Sequence, residues 1–118
     1  MEGPTARCHC GKVTIRLART PETLTECNCS LCRSYGVRWA YLPAADIVVD
    51  AAATDTYAWN GRHVDFHRCA GCGCVTHWVP RDRDRERRGV NARLLPAAVT
   101  DGIRVRHLDG ADTGRYLD

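Results

Sequence analysis

The chain of 118 residues has a single phenylalanine, a single methionine and, among 17 basic residues, a single lysine, Lys12. With so few large flexible apolar groups, a core must lean on Val, Leu, Ile, Ala and the three Trp. A core that small benefits from a metal staple. No apolar run approaches the ~20 residues that a membrane-crossing helix needs. The start, Met1-Glu2-Gly3-Pro4, lacks both the basic and the apolar region of a secretory leader. These absences predict a cytoplasmic chain with no membrane partner. The formal charge of +3 is too weak to predict a nucleic-acid partner. The densest basic stretch, Arg81 to Arg88, is interleaved with Asp82, Asp84 and Glu86, so it reads as a solvated, self-neutralising loop. The length predicts one domain, residues 1–118.

What the chain does have is cysteine: eight, grouped as C-x-C and C-x-x-C rather than scattered. Such grouping suits a metal in a reducing compartment better than long-range disulfides. Cys69-Ala70-Gly71-Cys72-Gly73 reads as a metal knuckle, with both sulfurs facing one point. Gly73 is expected to allow a tight turn where a side chain would crowd the metal. A knuckle supplies two ligands, and a structural zinc wants four. Cys8-His9-Cys10-Gly11 offers a further pair, and Cys27-Asn28-Cys29-Ser30-Leu31-Cys32 lies between the two groups. Two Zn²⁺ on seven thiolates would bring the formal charge to zero, so the basicity balances the metal sites. The expectation is a small β protein closed by one zinc, with a second metal position exposed for use.

The remaining pattern is mostly β, with seven to nine short strands and no long helix. Residues Met1 to Arg7 read as a loose lead-in. Val13, Ile15 and Leu17 alternate with Thr14 and Arg16 as a half-buried strand. Strands are also expected at Thr25 to Cys27, Val37 to Leu42, Ile47 to Val49, Cys74 to Val79, Val90 to Leu95 and Ile103 to His107. Helical turns are expected at Leu31 to Tyr35, Pro43 to Asp46 and Pro96 to Thr100. Thr56 to Trp59 and His63 to Arg68 flank Asn60-Gly61, the preferred dipeptide of a two-residue type I′ hairpin, whose second strand delivers the knuckle. Asp109-Gly110 begins a polar tail.

Three cysteine groups in this order, with Phe66-His67-Arg68 leading into the knuckle, resemble the glutathione-dependent formaldehyde-activating enzyme (GFA) family, also called the CENP-V/GFA domain. Gly89-Val90-Asn91-Ala92-Arg93-Leu94-Leu95 and Val105-Arg106-His107-Leu108-Asp109-Gly110 are similar to it as well. The resemblance runs from about residue 7 to residue 117. It implies a β-tent of packed antiparallel sheets and two zinc positions. By the family pattern, Cys8, Cys10, Cys69 and Cys72 form a structural tetrathiolate, and Cys27, Cys29 and Cys32 form a second site. It further implies a carbon–sulfur lyase that joins formaldehyde to glutathione, giving S-hydroxymethylglutathione.

The residue chemistry agrees with that division. Four thiolates saturate a tetrahedral zinc; three leave one position for water or a small thiol. Zinc would lower that thiol's pKa and hold its sulfur beside an aldehyde carbonyl. Ser30, Ser34 and Tyr35 are candidate proton donors to the developing alkoxide. Cys74 stands where the family usually has a small hydroxyl residue; it is either an eighth thiol near a metal or a small buried hydrophobe. His9, His63, His67, His77 and His107 read as surface or packed residues rather than ligands. Three function classes follow: a thiol–aldehyde lyase, a non-catalytic zinc-stabilised binding domain, and a thiol-based redox or metal sensor.

Overall fold

A computed structural model describes residues 2–118. Met1, the first residue of the expected lead-in, lies outside the described residues. Two sheets make the molecule, and it is mostly β. The smaller sheet has β1 (Thr5–Arg7), β2 (Val13–Leu17) and β5 (Ile47–Ala51), with β2 central and both pairings antiparallel. The larger sheet contains β3 (Thr23–Cys27), β4 (Trp39–Pro43), β6 (Thr54–Tyr57), β7 (Val64–Cys69), β8 (Val75–Pro80), β9 (Arg87–Asn91) and β10 (Arg104–Leu108). Their order is β10-β3-β4-β9-β8-β7-β6.

The alternation in β2 does what its pattern demands. Val13, Ile15 and Leu17 point inward and are almost wholly buried, while Arg16 faces solvent. They meet Leu24, Ala40, Leu42 and Val90 from the larger sheet. Each of the larger apolar side chains gains roughly 1.5–3 kcal/mol on burial. A second cluster is centred on Trp39, Cys32 and Val37, with Phe66 and Trp78 packed against it. Because Trp39 alternates with Ala40, the two clusters use opposite faces of the larger sheet. Gly89 is required here, because the Trp78 indole occupies the space a Cβ would take.

Several expectations change. The last three residues of the lead-in, Thr5–Arg7, are strand β1, in which Ala6 is buried opposite Ile15; one apolar residue among Thr5, Ala6 and Arg7 is too little period to read. The described residues form ten strands rather than seven to nine. One pairing is parallel: β10 lies alongside β3, from Arg104 opposite Thr23 to Leu108 opposite Cys27. The expected strand Val90 to Leu95 stops at Asn91, whose side chain accepts from the Arg93 N–H and opens a 3₁₀ turn, Ala92–Leu94. The charged loop ends at Glu86, because Arg87 and Arg88 already pair with Pro43 and Leu42.

The Asn60-Gly61 turn forms locally, with both residues at positive φ and Arg62 N–H donating to Trp59 O. It is not a two-residue hairpin, however. Tyr57 pairs with Phe66, which shifts the register by two residues and lengthens the connection. A shift of two preserves which side chains share a face. The short helices fall where expected: α1 (Ser30–Tyr35), a 3₁₀ turn at Ala44–Asp46, and α2 (Ala97–Thr100). No helix among the described residues is long and apolar enough to cross a membrane.

Candidate metal centres

The cysteines gather into two groups of sulfurs. Cys8 and Cys10 sit in the turn between β1 and β2; Cys69 ends β7, and Cys72 lies in the turn that follows. All four sulfurs lie within 4.8 Å of one another. The Cys8–Cys10 separation is 3.7 Å and the Cys10–Cys69 separation is 3.6 Å. Tetrahedral zinc with Zn–S near 2.3 Å requires S···S edges of about 3.8 Å, so the spacing fits that ion.

The backbone prepares the site. Val13 N–H donates to Cys8 Sγ at 3.3 Å, and Gly73 N–H bonds to Cys69 O at 2.9 Å. Amide groups of Cys10 and Cys74 aimed at Cys72 Sγ push its thiol down to about 5. The Lys12 N–H favours a thiolate at Cys10, yet desolvation and the sulfurs of Cys69, Cys8 and Cys72 outweigh it and raise that thiol to about 11. Four sulfurs that cannot all ionise alone are what a divalent metal resolves. Gly73 has φ of +79°, as the tight turn requires, but a Cβ there would meet nothing. The left-handed backbone conformation by itself favours glycine there.

Cys27, Cys29 and Cys32 form the second group, also with all sulfurs within 4.8 Å. Cys27 ends β3, Cys29 is the N-cap of α1, and Cys32 lies within that helix. Cys29 N–H donates to Cys27 Sγ at 3.5 Å and Cys32 N–H to Cys29 Sγ at 3.4 Å. A β-to-helix turn therefore winds its own amides around the sulfurs. Trp39 Nε1–H donates to Cys32 Sγ at 3.4 Å. Burial pushes the Cys32 thiol well up, and the indole hydrogen bond offsets only part of that. Burial also raises Cys29, but the amides of Cys32 and Leu31 and the neighbouring sulfurs reverse the net shift to a lowering. An all-thiolate donor set suits a soft or borderline ion such as zinc. Among the described residues, no fourth His, Cys, Asp or Glu joins the group.

Cys74 belongs to neither group. It packs, half-buried, against the inner core and lines an open cleft with Tyr35 and Arg68. It lies just before β8 rather than in a strand. Of the candidate proton donors, Ser34 donates to Ser30 O at 2.7 Å, and Tyr35 packs edge-on against Phe66. His9 is exposed; His67 and His77 stack with ring centres 4.4 Å apart and bond Thr54 and Thr76.

Two neighbours of the triplet were not expected. One is the Trp39 indole. The other is Gly110, where a Cβ would collide with Cys27 Sγ. Asn28 anchors this tail through Asp109 Oδ1 and Ala111 N–H, so residues after β10 form a strap beside Cys27. The Gly110 contact has no local signal, since Gly110 and Cys27 are far apart in sequence.

A family model described as glutathione-dependent formaldehyde-activating enzyme matches residues 3–102. All eight cysteines lie inside that span, whereas β10 and the strap lie beyond it. The crystal structure of a Rhodobacter sphaeroides protein is 28% identical and superposes with a TM-score of 0.68, covering 86% of this chain and 98% of that one.

Proposed function

The chain belongs to the glutathione-dependent formaldehyde-activating enzyme family, and from that premise we propose that it is a carbon–sulfur lyase acting on the adduct of a small thiol and an aldehyde. Glutathione and formaldehyde, which form S-hydroxymethylglutathione, are the proposed pair. The observation that carries the reading is the incomplete ligand set of Cys27, Cys29 and Cys32, beside the complete set of Cys8, Cys10, Cys69 and Cys72. We assign the four a structural metal and the three a working one, both zinc. The chemistry supplied by a zinc held at the three is that of a Lewis acid with one free coordination position.

The chain's own groups would do the rest. The amides of Cys29 and Cys32 and the Trp39 indole orient the three sulfurs. Trp39, Phe66 and Trp78 make an apolar wall that excludes water from one side. In the forward direction a sulfur–carbon bond forms, the carbonyl π pair moves to oxygen, and the thiol's proton ends on that oxygen. The reverse step breaks the same bond, and neither direction needs an oxidant. Eight free cysteines suit a reducing compartment, and we place the protein in the cytoplasm.

A competing reading is a non-catalytic zinc-stabilised binding domain. The strap at Gly110 favours it, by covering Cys27 from one side. Calorimetry with glutathione, beside zinc counts, separates the two. Wild type is expected to hold two zincs and bind glutathione. Cys29→Ser is expected to keep its fold and one zinc while losing the second metal and the ligand. Two tightly held zincs in wild type without glutathione binding would make the closed reading correct.

A further inference from the structure

Between the charged loop and the inner face of the larger sheet lies a cleft of ≈ 530 Å³. Asp65, His67, Val79 and Arg88 line it from the strands, and Pro80, Arg81 and Arg83 line it from the loop side. Strand register makes the floor. Asp65 pairs with Val79, His67 with His77, and His77 with Val90. Paired residues share a face, so this floor continues the face that carries the inner core at Val90. Arg88 stands two residues before Val90 on β9 and projects to the same face. No residue of the smaller sheet and no cysteine of either group lines the cleft, so it is separate from both metal candidates.

In sequence the loop neutralises itself; folded, it sorts its charges. Arg81 and Arg83 line the cleft, whereas Asp82, Asp84 and Glu86 do not. None of those three carboxylates forms an ion pair among the described residues. Asp82 Oδ1 instead accepts the Asp84 N–H at 3.0 Å, and Glu86 lines a hollow beside Tyr41. Arg81 is already paired, 2.9 Å from Asp65 Oδ1. Arg83 and Arg88 pair with no carboxylate among the described residues. Arg88 gives Nη1 to Arg85 O at 2.7 Å and to Arg87 O at 3.0 Å. Those carbonyls fix the guanidinium in place but leave its charge uncompensated. His67 Nδ1 bonds Thr54 Oγ1 at 2.9 Å, which leaves Nε2 as the ring's second polar atom for a ligand.

We propose that this cleft binds the phosphate group of a small phosphate monoester, held by Arg83 and Arg88. Two guanidinium charges without a carboxylate partner match a dianion. A phosphate monoester carries about −1.5 to −2 charges at neutral pH and presents three acceptor oxygens. The planar forks of the two arginines suit such paired oxygens. A lone carboxylate would leave one guanidinium uncompensated. Val79 and Pro80 offer apolar surface to the ester's carbon skeleton, and the cavity is large enough to hold more than the phosphate.

The test is calorimetry on the zinc-loaded chain with three probes: glycerol phosphate, inorganic phosphate and acetate. Wild type is expected to bind both phosphates, and acetate about tenfold more weakly or worse. Arg83 is exposed and unpaired, so Arg83→Gln should keep the fold and the zinc count. It should weaken glycerol phosphate about tenfold or more, the loss of a charge-assisted bond. Arg88→Gln should weaken it at least as much. Arg85→Gln removes the same charge from a side chain outside the cleft and should leave binding unchanged. Equal weakening by Arg83→Gln and Arg85→Gln would show attraction to net charge alone and overturn the site. Binding that is lost in Cys29→Ser but intact in Arg83→Gln would put the phosphate on a metal, which overturns it too. No phosphate binding by wild type, or acetate bound as tightly, would do the same.

Discussion

The four-cysteine cluster joins sulfurs 59 positions apart, Cys10 and Cys69, whereas the three-cysteine cluster takes all its sulfurs from Cys27 to Cys32. The first is rooted in the inner core through Cys8 and Cys69, each only 2% exposed, while Cys10 reaches the surface. The second lies on the opposite face of the sheet, walled by aromatic rings. A metal that closes a long loop contributes its binding energy to folding. A metal held within one turn closes almost nothing, so its binding energy can serve a ligand instead. The difference in sequence separation thus supports the separate roles proposed for the two clusters.

Breaking the long-range cluster should have the largest effect. Cys69→Ser or Cys10→Ser is expected to leave the chain largely unfolded or aggregated, because apparent zinc binding of roughly 10 kcal/mol equals a typical domain's whole stability. Thermal melts with zinc counts check this. A cooperative, native-like melt without metal in either variant would remove the structural role. The comparison sharpens under chelation: a graded chelator should strip one equivalent first, with the melt largely retained, and the second only as the fold is lost. Release of both in a single step would show that the clusters do not differ as argued.

Acid offers a smaller handle on the inner face. Burial, with His67 stacked against it, holds His77 at about 4, below its ordinary value of 6.5. The unfolded chain therefore binds the proton more readily. The stability that neutral His77 contributes is complete above about pH 6.5 and falls as pH drops toward 4, in total on the order of 3 kcal/mol. His77→Gln should flatten the stability change between pH 7 and 5.5, measured by urea unfolding with zinc present. An unchanged slope would place the acid sensitivity elsewhere. The smallest effect is expected from replacing residues 81–86 with a neutral polar linker. The Arg81–Asp65 ion pair at 2.9 Å is half-exposed, and such pairs contribute about 0–1 kcal/mol. Arg87 must be kept. A melt lowered by more than a few degrees would show that this loop braces the sheet.

The grouping of the cysteines was legible because ligand spacing is a local property. Cys69 and Cys72 in one turn, and Cys27, Cys29 and Cys32 around one helix start, are each readable from a few adjacent residues. Strands with strict alternation, such as Val13–Leu17, were legible for the same reason. Strand Thr5–Arg7 was not, since it offers one apolar residue and takes its identity from β2. The Arg81 to Arg88 stretch was read as one solvated run. Its last two residues join β9, and Arg87 turns onto Tyr41, because a strand partner at Pro43 captures its backbone.

By itself the sequence determined the mostly β class, the cysteine groups and their likeness to one family, because period and spacing act over a few residues. Only the tertiary structure decided that Arg106 from a parallel edge strand lies beside Thr25, and that Gly110 closes on Cys27. It alone stacked His67 on His77 and put the two metal candidates on opposite faces of one sheet. Those juxtapositions depend on strand order and register, which non-local pairing sets once loop-closure entropy has been overcome. No short window of residues carries that information.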